Sequence, residues 1–306
     1  MRIAFLGLGT MGEPMARRLI DAGHALSVFD VSAAARGRFE GLGCTVAGSA
    51  AQAAERAEIL IAILPDSDAV ESALFGDRGA VAALPPGALV LDMSTGDAAH
   101  VHRCAARLAV RGVRTMDVPV ARSVREARTG QLLVMAGGDA ADFEAALPVL
   151  EVLGDPEAIH HVGPLGSAIR LKLINNYLSM VNMVVAAEGL TFARRAGIER
   201  DVALRVLQST PAGKGQLNTN YPRKVLRGDI APDFPLRMGL KDINLALRLG
   251  DQVGAPLYLG AAARQAFALA SSWGRQDQDC TAMLLLMQDL CGEHDTASAQ
   301  SAAAPV

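Results

Sequence analysis

Over the first 160 residues, short apolar runs alternate with alanine-rich segments in which arginine and glutamate recur at helical spacing. The runs RIAFL, LSVFD, EILIAIL, ALVLDMS, VRTMDVPV and QLLVMAGG predict strands. Each is followed by a turn and a helix-like stretch, the pattern of a doubly wound, mostly parallel sheet covered by helices on both faces. After HHVGPLGSA the pattern changes: residues 167–196 predict one long helix, and residues 198–292 show only helical periodicity, broken at STPAGKGQ, NYPRKVLRGDIAPDFP and VGAP. The expected division is an α/β domain over 1–163 and an all-α domain over 164–294. A small, polar tail at 295–306 reads as disordered.

Composition narrows the class of partner. The chain has 306 residues, 51% of them apolar and 20% charged, and a net charge of only −3. That balance gives no long-range attraction to nucleic acid or acidic membranes, so a small molecule is the expected partner. Cys44, Cys104, Cys280 and Cys291 are scattered without a C-x-x-C pair, which argues against a zinc site and a disulfide framework. The opening MRIAFLGLGTMG does not resemble a signal peptide, and no stretch has the length of a membrane span. A cytoplasmic location is expected.

The first strand runs directly into GLGTMGEPMARRLIDAG, so Gly7, Gly9 and Gly12 fit G-x-G-x-x-G in the strand-to-helix context that makes the motif informative. The glycines serve a tight turn, the approach of a pyrophosphate and close helix packing, and the helix N-terminus favours the anion. Asp30 ends the second strand, where a carboxylate accepts the ribose hydroxyls of NAD and repels the 2′-phosphate of NADP. The bland alternative is that Asp30 caps the next helix, a task Ser32 would perform equally well. Arg36 lies close enough to leave NADP open as a less favoured cofactor.

On the predicted helix GSAIRLKLINNYLS, Lys172, Asn175, Asn176 and Ser179 fall at i, i+3, i+4 and i+7. They form one polar stripe, while Leu171, Leu173, Ile174, Leu178 and Met180 cover the rest. With the remaining faces so apolar the helix is expected to be buried, a solvated stripe on a surface helix being the bland alternative. A partly desolvated lysine has a lowered pKa and can give a proton to an oxygen that gains charge. None of the histidines competes for that role: His100 and His102 fall in a predicted helix and His160 and His161 close the first domain. No metal-ligand spacing appears, so no catalytic metal is expected.

The stretch DVPVARSVREARTG carries Arg122, Arg125 and Arg128 at intervals of three, which on a helix is one basic face. Arg125 and Arg128 read as solvated. Arg122 stands at the end of a strand, where a parallel sheet presents its ligand-binding edge.

Five ordered segments, GLGTMGEPMARRL, DMST at 92–95, DVPV at 117–120, GSAIRLKLINN at 166–176 and LKDINLA at 240–246, span nearly the whole chain. Together they resemble the β-hydroxyacid dehydrogenases, the group containing 3-hydroxyisobutyrate dehydrogenase and tartronate semialdehyde reductase. The resemblance implies a Rossmann domain, a long interdomain helix over about 167–196 and an all-α domain that makes a homodimer, often paired into a tetramer. It also implies metal-free hydride transfer between NAD(P) and a short 3-hydroxy acid or semialdehyde. Carried over, Lys172 is the acid/base, Asn176 positions it or the substrate, and Ser94 and Thr95 lie beside the nicotinamide and substrate. Leu64 and Pro65 line the cofactor, Leu8, Thr10 and Met11 contact it together with the loop glycines, and Lys241 approaches its nicotinamide end.

One departure matters. Where the family pattern has Ser-Gly-Gly after D-x-P-V, this chain has Ala121, Arg122 and Ser123. A guanidinium there adds a fork of donors suited to a stronger anion than a carboxylate. A sulfonate could be held by Arg122, Ser123, Asn175 and Ser179. With NNYLS, AGKGQ and RKVLRGD, this is similar to the 3-sulfolactaldehyde reductase branch, which implies reduction of that aldehyde by NADH to 2,3-dihydroxypropane-1-sulfonate. Carboxylate substrates, namely succinic, tartronate or methylmalonate semialdehyde and 3-hydroxyisobutyrate, are the alternative. An imine reductase and a non-catalytic NAD-binding scaffold share the fold, and Lys172 weighs against both. Lys214 in AGKGQ is not separable from an ordinary loop residue.

Overall fold

The structure, a computed structural model, describes residues 1–293. The tail expected at 295–306 lies outside the described residues. The chain forms two compact units that meet between Leu178 and Ser179.

The first unit is built on nine strands: β1 (Arg2–Leu6), β2 (Ala25–Phe29), β3 (Thr45–Val46), β4 (Ile59–Ala62), β5 (Leu89–Asp92), β6 (Arg114–Asp117), β7 (Val120–Ala121), β8 (Leu132–Gly137) and β9 (Gly154–Gly163). The first six pair in the order β3-β2-β1-β4-β5-β6 and are all parallel, the doubly wound order of a dinucleotide-binding sheet. β8 runs antiparallel to β6 and β7, and β9 lies parallel to β8. Alternate residues feed two cores. Ile3, Phe5, Val28, Ile61 and Leu91 pack on one face, and Ala4, Leu6, Leu60, Ala62 and Val90 on the other. Both faces are therefore covered, which is why β4 reads as an unbroken apolar run.

The helices are α1 (Gly12–Asp21), α2 (Ala33–Gly37), α3 (Ala50–Ala54), α4 (Ser67–Phe75), α5 (Ala98–Ala109), α6 (Val124–Thr129), α7 (Ala140–Leu153) and α8 (Ser167–Arg195). Side chains start five of them: Ser32, Ser49, Asp66, Asp97 and Ser123 each accept a backbone N–H of the first turn.

Two strands escape the sequence pattern. β3 has only two residues, and β9, GDPEAIHHVG, is polar along much of its length because it pairs on one side with β8 and leaves several residues in water. The single run VRTMDVPV divides into β6 and β7 at Pro119, which has no N–H to continue a ladder.

The second unit is helical among the described residues. It comprises the rest of α8, α9 (Arg200–Ser209) and the helices Leu236–Val253, Tyr258–Ala270 and Met283–Leu290, with the long connection after α9 carrying short helical turns such as Pro211–Lys214 and Asn220–Arg223. Leu236, Ala270 and Leu286 form its small core with Phe267, Leu269 and Met283. Buried Asp279 ties the connections by accepting the N–H groups of Asp233, Phe234 and Thr281.

α8 matches the expected long helix, but its apolar cover does not match the expected burial. Only Ala168 and Ile169 are buried, while Leu171, Leu173, Ile174, Leu178 and Met180 are exposed in the single chain. The described residues thus leave the apolar faces of α8 uncovered.

Candidate active site

A cleft of about 760 Å³ opens at the carboxyl ends of β1 and β4, where the strand order reverses. That is where an open parallel sheet binds its ligand, and the volume suits a cofactor with a small substrate. Gly7, Gly9, Thr10, Met11 and Gly12 form one wall. Gly7 has φ +99, and a Cβ there would overlap the Ile63 carbonyl oxygen; a Cβ on Gly12 would overlap the Gly7 carbonyl. A Cβ on Gly9 would meet nothing within 4 Å, so Gly9 keeps open the space a diphosphate needs at the start of α1. The side chain of Leu8 points into the core, and only its backbone serves the cleft.

That backbone fixes Asp30. The Asp30 carboxylate accepts the Leu8 N–H at 2.7 Å through Oδ2 and the Ser32 N–H at 2.8 Å through Oδ1, and the residue lines the cleft. The cap of α2 is Ser32, whose Oγ accepts the Ala35 N–H at 3.3 Å. Arg36 donates from Nη1 to the carbonyls of Asp30 at 2.6 Å and Val31 at 3.2 Å, and its guanidinium lies over the Phe29 ring.

On the next side Leu64, Pro65 and Thr95 line the cleft. Ser94 braces them from behind: it is buried, its Oγ accepts the Leu64 N–H at 3.0 Å, and its N–H donates to Asp92 at 3.0 Å. Burial pushes the Asp92 carboxyl up. The structure thus puts Thr95 at the cleft surface and Ser94 beneath it.

Lys172, in the second turn of α8, lines the same cleft. Partial burial lowers its pKa, with no counter-charge acting on it. α8 is seated by Asp117, a buried carboxylate at the end of β6 that accepts the N–H groups of Gly166 and Ile169, both at 2.7 Å. Gly137, across the sheet from Asp117, leaves the room for this carboxylate, since a Cβ there would overlap Asp117 Oδ1. Sequence reasoning missed the role of Asp117. A carboxylate ending an interior strand, with a helix start elsewhere in the chain, was the available signal.

Arg122 also lines the cleft. It holds φ +76, a conformation that favours glycine, and it precedes α6. Its Nη1 donates to the Gln131 carbonyl at 2.6 Å and to Asp155 Oδ2 at 3.1 Å. The three arginines therefore do not share a helix face: Arg125 and Arg128 lie on exposed positions of α6, and Arg122 belongs to the sheet edge. Ser123 is the N-cap of α6. Its Oγ donates to Glu126 at 2.5 Å and accepts the Arg125 N–H, and the Ser123 N–H donates to Glu126. The Ser123 hydroxyl is thus engaged in a capping box.

Asn175 and Asn176 follow Lys172 by one turn and bond each other, Nδ2 to Oδ1, at 3.2 Å. Ser179, Lys214 and Lys241 belong to the second unit. Ser179 and Lys214 are exposed, and Lys241 pairs with Asp242 at 2.9 Å. One cluster of ligand-type side chains was not visible from spacing. Glu71, His100 and Cys104 converge between α4 and α5, with Cys104 Sγ 3.1 Å from His100 Nε2. Glu71 is ion-paired with Arg107, and burial, with Glu71 beside it, pushes the Cys104 thiol up to about 12.

Comparison with known proteins agrees with this geometry. The family model for the NAD-binding domain of 6-phosphogluconate dehydrogenase matches residues 2–163, and that for the NAD-binding of NADP-dependent 3-hydroxyisobutyrate dehydrogenase matches residues 166–287. The chain is 43% identical to 3-sulfolactaldehyde reductase of Escherichia coli, over 92% of this chain and 94% of that one. It is 36% identical to 3-hydroxyisobutyrate dehydrogenase of Pseudomonas aeruginosa, over 87% and 91%. Among solved structures, 3-hydroxyisobutyrate dehydrogenase of Mycobacterium tuberculosis superposes with a TM-score of 0.66 at 29% identity, covering 94% of this chain and 99% of that one. An imine reductase of Myxococcus stipitatus, at 20% identity and TM-score 0.84 over 94% and 99%, shares the fold. With its dinucleotide cleft, its cleft lysine and these relatives, the chain belongs to the β-hydroxyacid dehydrogenase family of 3-hydroxyisobutyrate dehydrogenase type, NAD(P)-dependent oxidoreductases that act on CH–OH groups.

Proposed function

We propose that the chain reduces 3-sulfolactaldehyde to 2,3-dihydroxypropane-1-sulfonate with NADH. The observation that carries this reading is Arg122, a cation at a glycine-type backbone position, lining the same cleft as Lys172. The Escherichia coli relative, named for this aldehyde, supports it.

The residues take the following roles. Gly7, Gly9 and Gly12 admit the diphosphate, Thr10 and Met11 flank it, and Asp30 accepts the ribose hydroxyls, which favours NAD because a 2′-phosphate would face a carboxylate. Arg36 does not reverse that preference, since its Nη1 is held on the carbonyls of Asp30 and Val31. NADH, when bound, supplies the hydride. Lys172 donates a proton to the aldehyde oxygen as that oxygen gains charge, and Asn176 orients the lysine or the substrate. Arg122 attracts the sulfonate, with Asn175 as a further donor. Ser94 acts as the brace of the wall that Leu64, Pro65 and Thr95 present.

A carboxylate semialdehyde is the second reading, and one observation favours it. Arg122 already has an anionic partner in Asp155, so the anion subsite has less net charge than the sequence suggests. The deciding experiment is kcat/KM with NADH for 3-sulfolactaldehyde beside succinic, tartronate and methylmalonate semialdehydes at one pH. A sulfonate advantage of about tenfold, or about 1.4 kcal/mol, upholds the reading, and a carboxylate advantage replaces it with the second.

The exposed apolar residues of α8, Ile174, Met180, Met183 and Val184 among them, support a homodimer or tetramer. No described helix is long and apolar enough to cross a membrane. Four free thiols support a cytoplasmic setting.

A further inference from the structure

Arg122 raises a question that its charge alone does not answer. At φ +76 an L-residue is strained where glycine is not, and a long, freely rotating side chain there would recognise an anion poorly. The structure removes that freedom at one nitrogen. Nη1 carries two hydrogens and meets two acceptors, the Gln131 carbonyl at 2.6 Å and Asp155 Oδ2 at 3.1 Å. These acceptors are neighbours because β8 and β9 pair Leu132 with Gly154, bringing the residue before one strand beside the second residue of the other. Asp155 is itself oriented: its Oδ1 accepts the Glu157 N–H at 3.2 Å.

A guanidinium is planar, so fixing Nη1 fixes the rest of the group. The Nε–H and Nη2–H donors lie along the opposite edge, and among the described residues they have no acceptor. That edge is a two-donor fork of the kind that takes two oxygens of a sulfonate or carboxylate. Asp155 has a second effect through its charge. A carboxylate 3.1 Å from the guanidinium offsets much of the attraction for an incoming anion. A singly charged sulfonate tolerates this, whereas a phosphate monoester, close to doubly charged at neutral pH, meets more repulsion.

Building on the sulfonate reading of Arg122, we propose that Asp155 is a specificity-determining positioning residue. It aims the free edge of Arg122 into the cleft and tunes the subsite to singly charged tetrahedral anions, so that a short-chain aldehyde sulfonate is accepted and the corresponding aldehyde phosphate is refused.

The test measures kcat/KM for 3-sulfolactaldehyde, glyceraldehyde 3-phosphate and succinic semialdehyde with NADH, in the wild type, Asp155→Asn, Arg122→Gly and the double variant, with Asp155→Ala as a second replacement and Tm recorded for each. Asp155→Ala, which removes the acceptor, is expected to raise KM for the sulfonate about fivefold, and Asp155→Asn, which keeps an acceptor and removes only the charge, is expected to improve the phosphate relative to the sulfonate; kcat and KM for NADH stay unchanged in both. In the Arg122→Gly background either replacement is expected to do nothing. An unchanged sulfonate to phosphate ratio overturns the proposal. So does an equal loss on both substrates that persists without Arg122, since that would make Asp155 a purely structural link between strands. If Arg122→Gly alone leaves the sulfonate preference over carboxylates intact, the reading of Arg122 itself fails, a result distinct from the failure of Asp155.

Discussion

Asp117 holds the N–H of Ile169 at 2.7 Å, three residues before Lys172 on the same helix. Its other oxygen holds the Gly166 N–H at the same distance, so one buried carboxylate satisfies two donors at the start of α8 and places negative charge at the positive end of the helix. The position of Lys172 in the cleft thus rests on a residue at the end of β6.

Replacing Asp117 by alanine leaves two N–H groups without their acceptor, at about 1–3 kcal/mol each. Asp117→Ala is expected to be destabilised by about 3 kcal/mol, read by urea unfolding. Asp117→Asn, which keeps one acceptor, is expected to lose less stability, with lower kcat and unchanged NADH affinity. Wild-type stability in Asp117→Ala would show that α8 is seated by other contacts.

Lys172→Ala is expected to lower kcat by about two to four orders of magnitude while NADH still binds, the range for a lost general acid. The wild-type pH profile carries a sign. Aldehyde reduction needs Lys172 protonated, so kcat holds below its pKa and falls as pH rises through it. Because burial lowers that pKa, the fall is expected at a lower pH than for an ordinary lysine, and it should vanish in Lys172→Ala. A flat profile in the wild type would assign the proton to another donor.

Asp30 accepts two N–H groups within the cleft and is not the cap of α2. Asp30→Ala is therefore expected to shift the NADH to NADPH ratio of kcat/KM at least about tenfold toward NADPH. An unmoved ratio would mean that Arg36 or the loop backbone, not this carboxylate, selects the cofactor.

The parts of this site that were legible in the sequence are those set by local geometry. The G-x-G-x-x-G turn and Asp30 are both contained in one β-α-β unit, and Lys172 stands out because a lysine recurs with polar residues on an apolar helix. What was not legible depends on pairing across long stretches of chain. Asp155 meets Arg122 from 33 residues away, through a β8–β9 register that a polar edge strand does not advertise. Asp117 meets Gly166 from 49 residues away. Ser94 and Ser123 carry the right chemistry for substrate contact, but one hydroxyl is drawn to a backbone N–H from another strand end and the other to a capping box, which only Glu126 three residues on announces. The apolar pattern of α8 predicted a burial that the described residues of the chain do not provide.

The most direct test of this account compares kcat/KM for 3-sulfolactaldehyde and succinic semialdehyde, with NADH at one pH, in the wild type and in Arg122→Gly. The account expects the wild type to favour the sulfonate by about tenfold and Arg122→Gly to lose that preference while retaining carboxylate turnover. An identical ratio in the two proteins would contradict it.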